Sequence, residues 1–326
     1  MTPVSSKQRG VALITALVIL AIASTIAAAM IWQGGLDERR TATLIQGNQA
    51  MEYALGAESW AEQIMLRDFS ATPQGGQQQS VNLGQDWAQQ LPPLPVEGGQ
   101  IIGHIEDMQG RFNLDLLQGQ HASVYLGQFQ RLLQSLNIDP GIAQAVSDWV
   151  NTGDTATQPY GAKDDYYSRL QPAYLTAEAP MTSVSELELV RGITPQIYAA
   201  LLPYICAIPV TTTAPGQVGS GWALNINTAS PLVLMSLAQN ITEDQVQSIV
   251  AARVPQGINQ SQLSGLNINL SPQGSNSPAI GYTSSYFLLT VTAEIGSTHV
   301  TMYSLLNYTP GSPGKVTAVR RTFGTL

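Results

Sequence analysis

Residues 11–32, VALITALVILAIASTIAAAMIW, form a run in which no side chain is more polar than Thr or Ser. A helix of about 20 apolar residues spans a bilayer, so this run is long enough to cross one. From Leu36 to Phe69 there is no proline, and Leu44, Met51 and Leu55 recur at i, i+7 and i+11, with Trp60, Ile64 and Met65 beyond. That period predicts one continuous helix of fifty-odd residues, half in lipid and half packed on a folded domain. Gly34 and Gly35 are the candidates for a bend where it leaves the bilayer.

Residues 70–99 are rich in Gln, Pro and Gly and read as a loop. A strand is expected at 100–108, where Ile102, His104 and Glu106 alternate with Ile101, Ile105 and Asp107. The middle of the chain changes period. Segments 122–137, 140–151, 182–191, 194–205, 228–239 and 242–253 each have helical spacing behind a start signal. The signals are Asp139-Pro140, a capping box from Ser183 to Glu186, Thr194-Pro195, Thr228 and Thr242. A weak internal echo precedes two of the helix pairs, GRFNLDLLQ at 110–118 and WALNINTASPLVL at 222–234, and predicts two related helical units. Strand alternation returns at 285–295, 299–308 and 315–323. The order, long helix, strand, helical module, three strands, fits a sheet interrupted by a helical insertion.

Charge then narrows the function classes. Of 326 residues only 11% are charged, where roughly 25% is usual, and the net charge is −8. Nucleic-acid affinity comes mainly from clustered Lys and Arg, so an acidic chain is a poor candidate for a phosphate-backbone partner. The single cysteine, Cys206, lies in the apolar patch LLPYICAIP and is expected to be a small buried hydrophobe. Lys7 and Arg9 precede the apolar run, while Asp37, Glu38, Arg39 and Arg40 nearly cancel after it. The positive-inside rule places the short N-terminus in the cytoplasm and the bulk outside. Ala27, Ala28 and Ala29 offer a signal-peptidase site, but the run exceeds the roughly 7–15 residues of a signal-peptide core.

The stretch Lys7-Gln8-Arg9-Gly10-Val11-Ala12-Leu13-Ile14 resembles type IV prepilins and the pseudopilins of type II secretion. The resemblance implies cleavage by the prepilin peptidase between Gly10 and Val11, methylation of the new amine, and retention of the apolar helix. Most members of those families carry Glu five residues after the cut, where this chain has Thr15. A carboxylate within lipid costs about 2.5–3.5 kcal/mol unless compensated. In the family it is thought to pair with a neighbouring subunit's terminal amine, and Thr15 cannot make that ionic pair. In this and in GRFNLDLL, LNINTAS, SDWVN (147–151), GAKDDYY (161–167) and SVSELELVRGIT (183–194), the chain resembles the protein K family of minor pseudopilins.

What that resemblance implies is an α+β fold: a pilin-like long N-terminal helix and small antiparallel sheet, with a large all-α domain of two helix-hairpin-helix units inserted in the sheet. The expected division is a leader at 1–10, a transmembrane helix at 11–32, the outer half of the long helix at 33–69, a loop and first strand at 70–110, the insertion at 111–272 and closing strands at 273–326. It implies a place at the pseudopilus tip in the inner membrane, with a periplasmic bulk. Implied partners are the I and J minor pseudopilins, with the H type, the major pseudopilin and secreted substrates as further contacts. A module of this size on a filament subunit independently obstructs the next subunit.

The segment 148–167, DWVNTGDTATQPYGAKDDYY, gathers Asp148, Asn151, Asp154, Asp164 and Asp165 in a loop rich in Gly, Thr and Pro. Ca²⁺ takes six to eight oxygens, which such a loop supplies, but the spacing is not that of an EF-hand and a solvated acidic loop is the plain alternative. The family resemblance implies calcium here, with Asp154, Asp164 and Asp165 ahead of Asp148 and Asn151; Lys163 stands where relatives commonly show an acid. Residues 224–253 resemble a helix-hairpin-helix unit, but the hairpin AQNITED has no Gly and two acids, which favours protein packing over DNA. His104, His121 and His299 form no catalytic motif, and Ser220 lacks the spacing of a nucleophile elbow, so an enzyme is not expected. The alternatives are a membrane-tethered DNA receptor and a secreted enzyme.

Overall fold

The structure is a computed structural model that describes residues 6–70, 80–90, 92–119, 121–208, 222–268, 270, 279–311 and 313–324, with side chains from Val11 onward. One helix, α1 (Ser6–Ser70), runs unbroken through Gly34 and Gly35. A Cβ at either glycine would meet nothing within 4 Å, so no packing demands them. The segment read as a loop instead holds a 3-10 turn at Asp86–Ala88 and an edge strand, β1 (Leu94–Val96), before β2 (Gly99–Asp107). Its tip, 71–79, lies outside the described residues.

The insertion opens with β3 (Phe112–Asn113), α2 (Ala122–Ser135), α3 (Ile142–Val150) and α4 (Asp164–Tyr167), followed by α5 (Pro195–Leu201) and β4 (Ile205–Cys206). A second unit follows with β5 (Leu224–Asn225), α6 (Pro231–Ser236), α7 (Glu243–Ala252), α8 (Gln260–Gly265) and β6 (Ile280–Gly281). The sheet then resumes with β7 (Tyr286–Ile295), β8 (Thr298–Thr309) and β9 (Lys315–Phe323). Its order is β1-β2-β7-β8-β9, antiparallel throughout, so β2 finds its partner only after the insertion, with Gly99 opposite Ile295 and Asp107 opposite Phe287.

Alternation in β7 turns Phe287, Leu289, Val291, Ala293 and Ile295 toward α1, all at most 3% exposed. The α1 face that meets them is Ala50, Ala54, Ala61, Met65 and Phe69. Of the Leu44–Met51–Leu55 stripe only Leu55 packs against that core: Leu44 is 69% and Met51 40% exposed. Small side chains let a helix lie close on a sheet, and closeness decides which face is buried. Where α1 ends, the core becomes aromatic, with the Phe69 ring 5.3 Å from Phe287 and 4.7 Å from Tyr308.

Two short parallel pairings explain the sequence echo. β3 pairs with β4 and closes the first helical unit; β5 pairs with β6 and closes the second. In both units the asparagine of the opening strand accepts a hydrogen bond from the amide two residues on, Asp115 to Asn113 and Asn227 to Asn225. Side chains then pin each unit to a distant backbone: Asn113 with Ile208 and Asn227 with Ile258, each donating and accepting.

Helix starts depart from expectation where a side chain has a better partner. Glu186 accepts from the Thr182 amide and hydroxyl, and Ser183 Oγ from the Ser185 amide, so 182–191 yields only a 3-10 turn at Val184–Leu189. The helix expected from Thr228 begins at Pro231 behind the Ser230 cap. Pro203 has no amide to donate, and 194–205 ends in a 3-10 turn at Leu202–Tyr204. Helix α8, unforeseen, carries a full capping box from Asn259 to Gln262.

Candidate functional site

Two regions carry the predicted site residues: the first turns of α1 and the loop between α3 and α4. Gly10 is helical, and Val11 is 63% exposed at the head of an apolar stretch with no protein covering it. Thr15 Oγ1 donates within its own helix, to the Val11 carbonyl at 3.1 Å and the Ala12 carbonyl at 3.0 Å. Its polarity is thereby satisfied without a second subunit. Further along, Leu44, Ile45, Met51 and Trp60 are exposed on the outer half of the helix. Beside Trp60 an apolar groove of about 200 Å³ opens between α1, Trp87 and Leu94.

The five loop residues do not share one centre. Asp148, 6% exposed, accepts from Thr157 through the amide at 2.8 Å and the hydroxyl at 2.7 Å. Gly161 is required there, because a Cβ would lie 2.0 Å from Asp148 Oδ2. Asp164 accepts from the Thr176 amide at 2.9 Å and hydroxyl at 2.7 Å, and these bonds hold its carboxyl below the usual range. Asn151 turns its amide nitrogen, not its oxygen, to the Leu117 and Ser147 carbonyls. Asp154 and Asp165 are exposed. Among the described residues no three His, Cys, Asp or Glu side chains stand close enough to hold a metal ion. The cation in the loop is Lys163, 4% exposed, which donates to the Asn151 carbonyl and lies 3.6 Å from Glu178. These donors do not fit a divalent cation.

A third set, at the root of the insertion, was not singled out from the sequence. Asp107 ends β2 with Oδ1 accepting from the Gln109 amide, and Oδ2 from Ser284 Oγ at 2.6 Å, Thr228 Oγ1 at 2.6 Å and Asn225 Nδ2 at 3.0 Å. Burial pushes this carboxyl up against the pull of those bonds. One carboxylate thus ties the sheet to the second helical unit, and it is what draws Thr228 away from a helix start. The signal available was an acid at the buried end of an alternating strand. Asp115 is a second buried acid: Oδ1 accepts from the Met181 amide, Oδ2 has no partner, and burial raises its pKa to about 7. Cys206 is buried and free, its thiol pushed up by burial, as expected of a core residue. Arg253 donates to the Ile226 and Ala229 carbonyls. Ser220 lies outside the described residues.

Residues 110–210 and 224–275 match the family models for type II secretion system protein K, one on each helical unit. The type II secretion system protein K of Aeromonas hydrophila is 30% identical over 99% of both chains, and that of Pectobacterium carotovorum subsp. carotovorum 33% over 98% of this chain and 97% of its own. The chain belongs to the type II secretion system protein K family. The fold agrees: the structure of the GspK-GspI-GspJ complex from enterotoxigenic Escherichia coli superposes with a TM-score of 0.71 at 22% identity, over 88% of this chain and 100% of that one. As a member of the family the chain is a minor pseudopilin of type II secretion, attached to a membrane by one N-terminal apolar helix. Its relatives are named as components of that machinery and not as enzymes.

Proposed function

We propose that this protein K ends the type II secretion pseudopilus, sitting at its tip and starting or limiting its assembly for the export of folded proteins. The observation that carries this reading is Thr15. In a shaft subunit the corresponding carboxylate is thought to need a neighbour's terminal amine, whereas the Thr15 hydroxyl is satisfied by its own helix. The subunit therefore has no electrostatic reason to dock beneath another. The insertion between β2 and β7 supports the same reading, since a heterologous filament with one face obstructed stops there.

The leader is cut by the prepilin peptidase between Gly10 and Val11 and the new amine is methylated. The helix is held in the inner membrane with the bulk in the periplasm. The exposed Leu44, Ile45, Met51 and Trp60 are the surface offered to the helices of the I and J minor pseudopilins. The GspK-GspI-GspJ complex from enterotoxigenic Escherichia coli is such an assembly.

Immunogold labelling of assembled pseudopili tests the placement. The native chain is expected at one end only, and Thr15→Glu is expected to spread along the shaft. A native chain found at regular intervals along the shaft overturns the proposal. Sequencing the mature N-terminus is expected to begin at Val11; a start near Met30 would indicate signal-peptidase processing instead.

A further inference from the structure

The loop between α3 and α4 has the composition of a metal-binding loop but is organised around side-chain cations. Helix α3 ends at Val150, and the freed carbonyls of its last turn form the negative end of its dipole, where a cation is stabilised. The Lys163 ammonium lies there, buried, donating to the Asn151 carbonyl. Glu178 supplies the opposing charge at 3.6 Å, and its own amide is fixed by the Trp149 carbonyl at 3.0 Å. A second cation completes the brace: Arg191 donates to the Gly161 carbonyl at 3.0 Å and lies 5.1 Å over the Tyr166 ring. Two loop carbonyls of the kind a hard cation would collect are thus already taken by N–H donors.

We propose that Lys163, seconded by Arg191, is the structural cation of this lobe, so that the fold of the first helical unit does not depend on a divalent metal. An ammonium has three donors and one charge, and here it meets one carbonyl and one carboxylate. Ca²⁺ needs six to eight oxygens. The carboxylates it would recruit are held apart by Thr157 and Thr176, so the two arrangements exclude each other.

The test is thermal unfolding of the full chain in detergent, followed by near-UV circular dichroism, in excess EDTA and in millimolar CaCl2. The native chain is expected to melt at the same temperature in both, and calorimetric titration with CaCl2 is expected to give no saturable heat. Lys163→Met is expected to lower the melting temperature by roughly 5 °C or more in both buffers, since it leaves Glu178 and the Asn151 carbonyl without their cation. A native melting temperature that rises with CaCl2 overturns the proposal, because a ligand of the folded state stabilises by mass action. So does a Lys163→Met chain as stable as the native one. The comparison of native chain in the two buffers decides even where the variant does not fold.

Discussion

Against the sheet, α1 buries Ala50, Ala54 and Ala61 on the face of β7 that carries Phe287, Leu289, Val291, Ala293 and Ile295, where a period of 3.6 meets a period of two. The insertion is built otherwise. Its helices α4, α5, α6 and α8 have seven residues or fewer, too short to hold themselves. Asn113 and Asn225 in short strands, and Asp115 and Asn227 two residues beyond them, reach to distant backbone and fix what the helices cannot. Apolar burial is general and tolerant, whereas a buried polar link is specific and costly to cut. The two halves should therefore fail differently.

The largest effect is expected at the joint between them. Asp107→Ala removes the acceptor that Asn225, Thr228 and Ser284 share in the interior and should cost about 3–5 kcal/mol. Urea unfolding would show it as a lower midpoint, with the helical signal lost ahead of the sheet if the joint is what holds the insertion. Asp115 works in the opposite direction. Its pKa of about 7 in the folded chain lies above the unfolded value of about 3.9. The folded state thus keeps a proton that the unfolded state releases, and stability falls as pH rises from about 4 to 7. Asp115→Asn should be neutral at pH 4 and gain roughly 2–4 kcal/mol at pH 8, flattening that slope. An unchanged slope would mean that this acid is not what couples the insertion to pH.

In the pilin-like half an ion pair with its carboxylate buried, Glu58 with Arg321, joins α1 to β9. Burial would raise the Glu58 carboxyl, but hydrogen bonds from Arg321 and Ser304 and the charge of Arg321 leave it below the ordinary range. That stabilisation is present above the unfolded carboxylate's pKa and is lost as pH falls through the lowered value. Arg321 is 46% exposed, so Arg321→Ala should cost only about 1–2 kcal/mol at pH 7, an effect that fades as pH falls through the lowered Glu58 value. The smallest effect on folding is expected at Leu44, 69% exposed: Leu44→Ser should change stability by less than about 0.5 kcal/mol. Weakened co-purification of pilin-like partners with that stable variant would assign the exposed stripe to assembly.

The same contrast governs what was legible beforehand. Strands β7, β8 and β9 and the single long helix were readable within a residue or so at most ends, because alternation and an unbroken apolar run are local properties. On α1, spacing finds Leu55, Ile64 and Met65, which meet the sheet, but not the alanines between them. Large apolar residues mark hydrophobicity, but the sheet accepted the alanines that allow close approach and left Leu44 and Met51 outside. In the insertion, 182–191 and 228–239 hold shorter elements than their spacing predicts, because Glu186 and Thr228 have competing partners that spacing does not show. Among candidate residues, Thr15 stands out by its position after Gly10 alone, while the contacts of Asp107 and Lys163 depend on what lies opposite them.

By itself the sequence determined an apolar span behind Lys7 and Arg9, a threonine in place of a carboxylate at Thr15, the sheet strands and the existence of a helical insertion. Each depends on neighbours within a few turns of chain. Only the tertiary structure decided that β2 waits for β7, that Asp107 binds the two halves, and that an ammonium occupies the end of α3 in the acidic loop. Those are contacts between groups far apart in sequence or turned toward one another by packing. Their free energy depends on burial and on the partner's position, which no local pattern encodes.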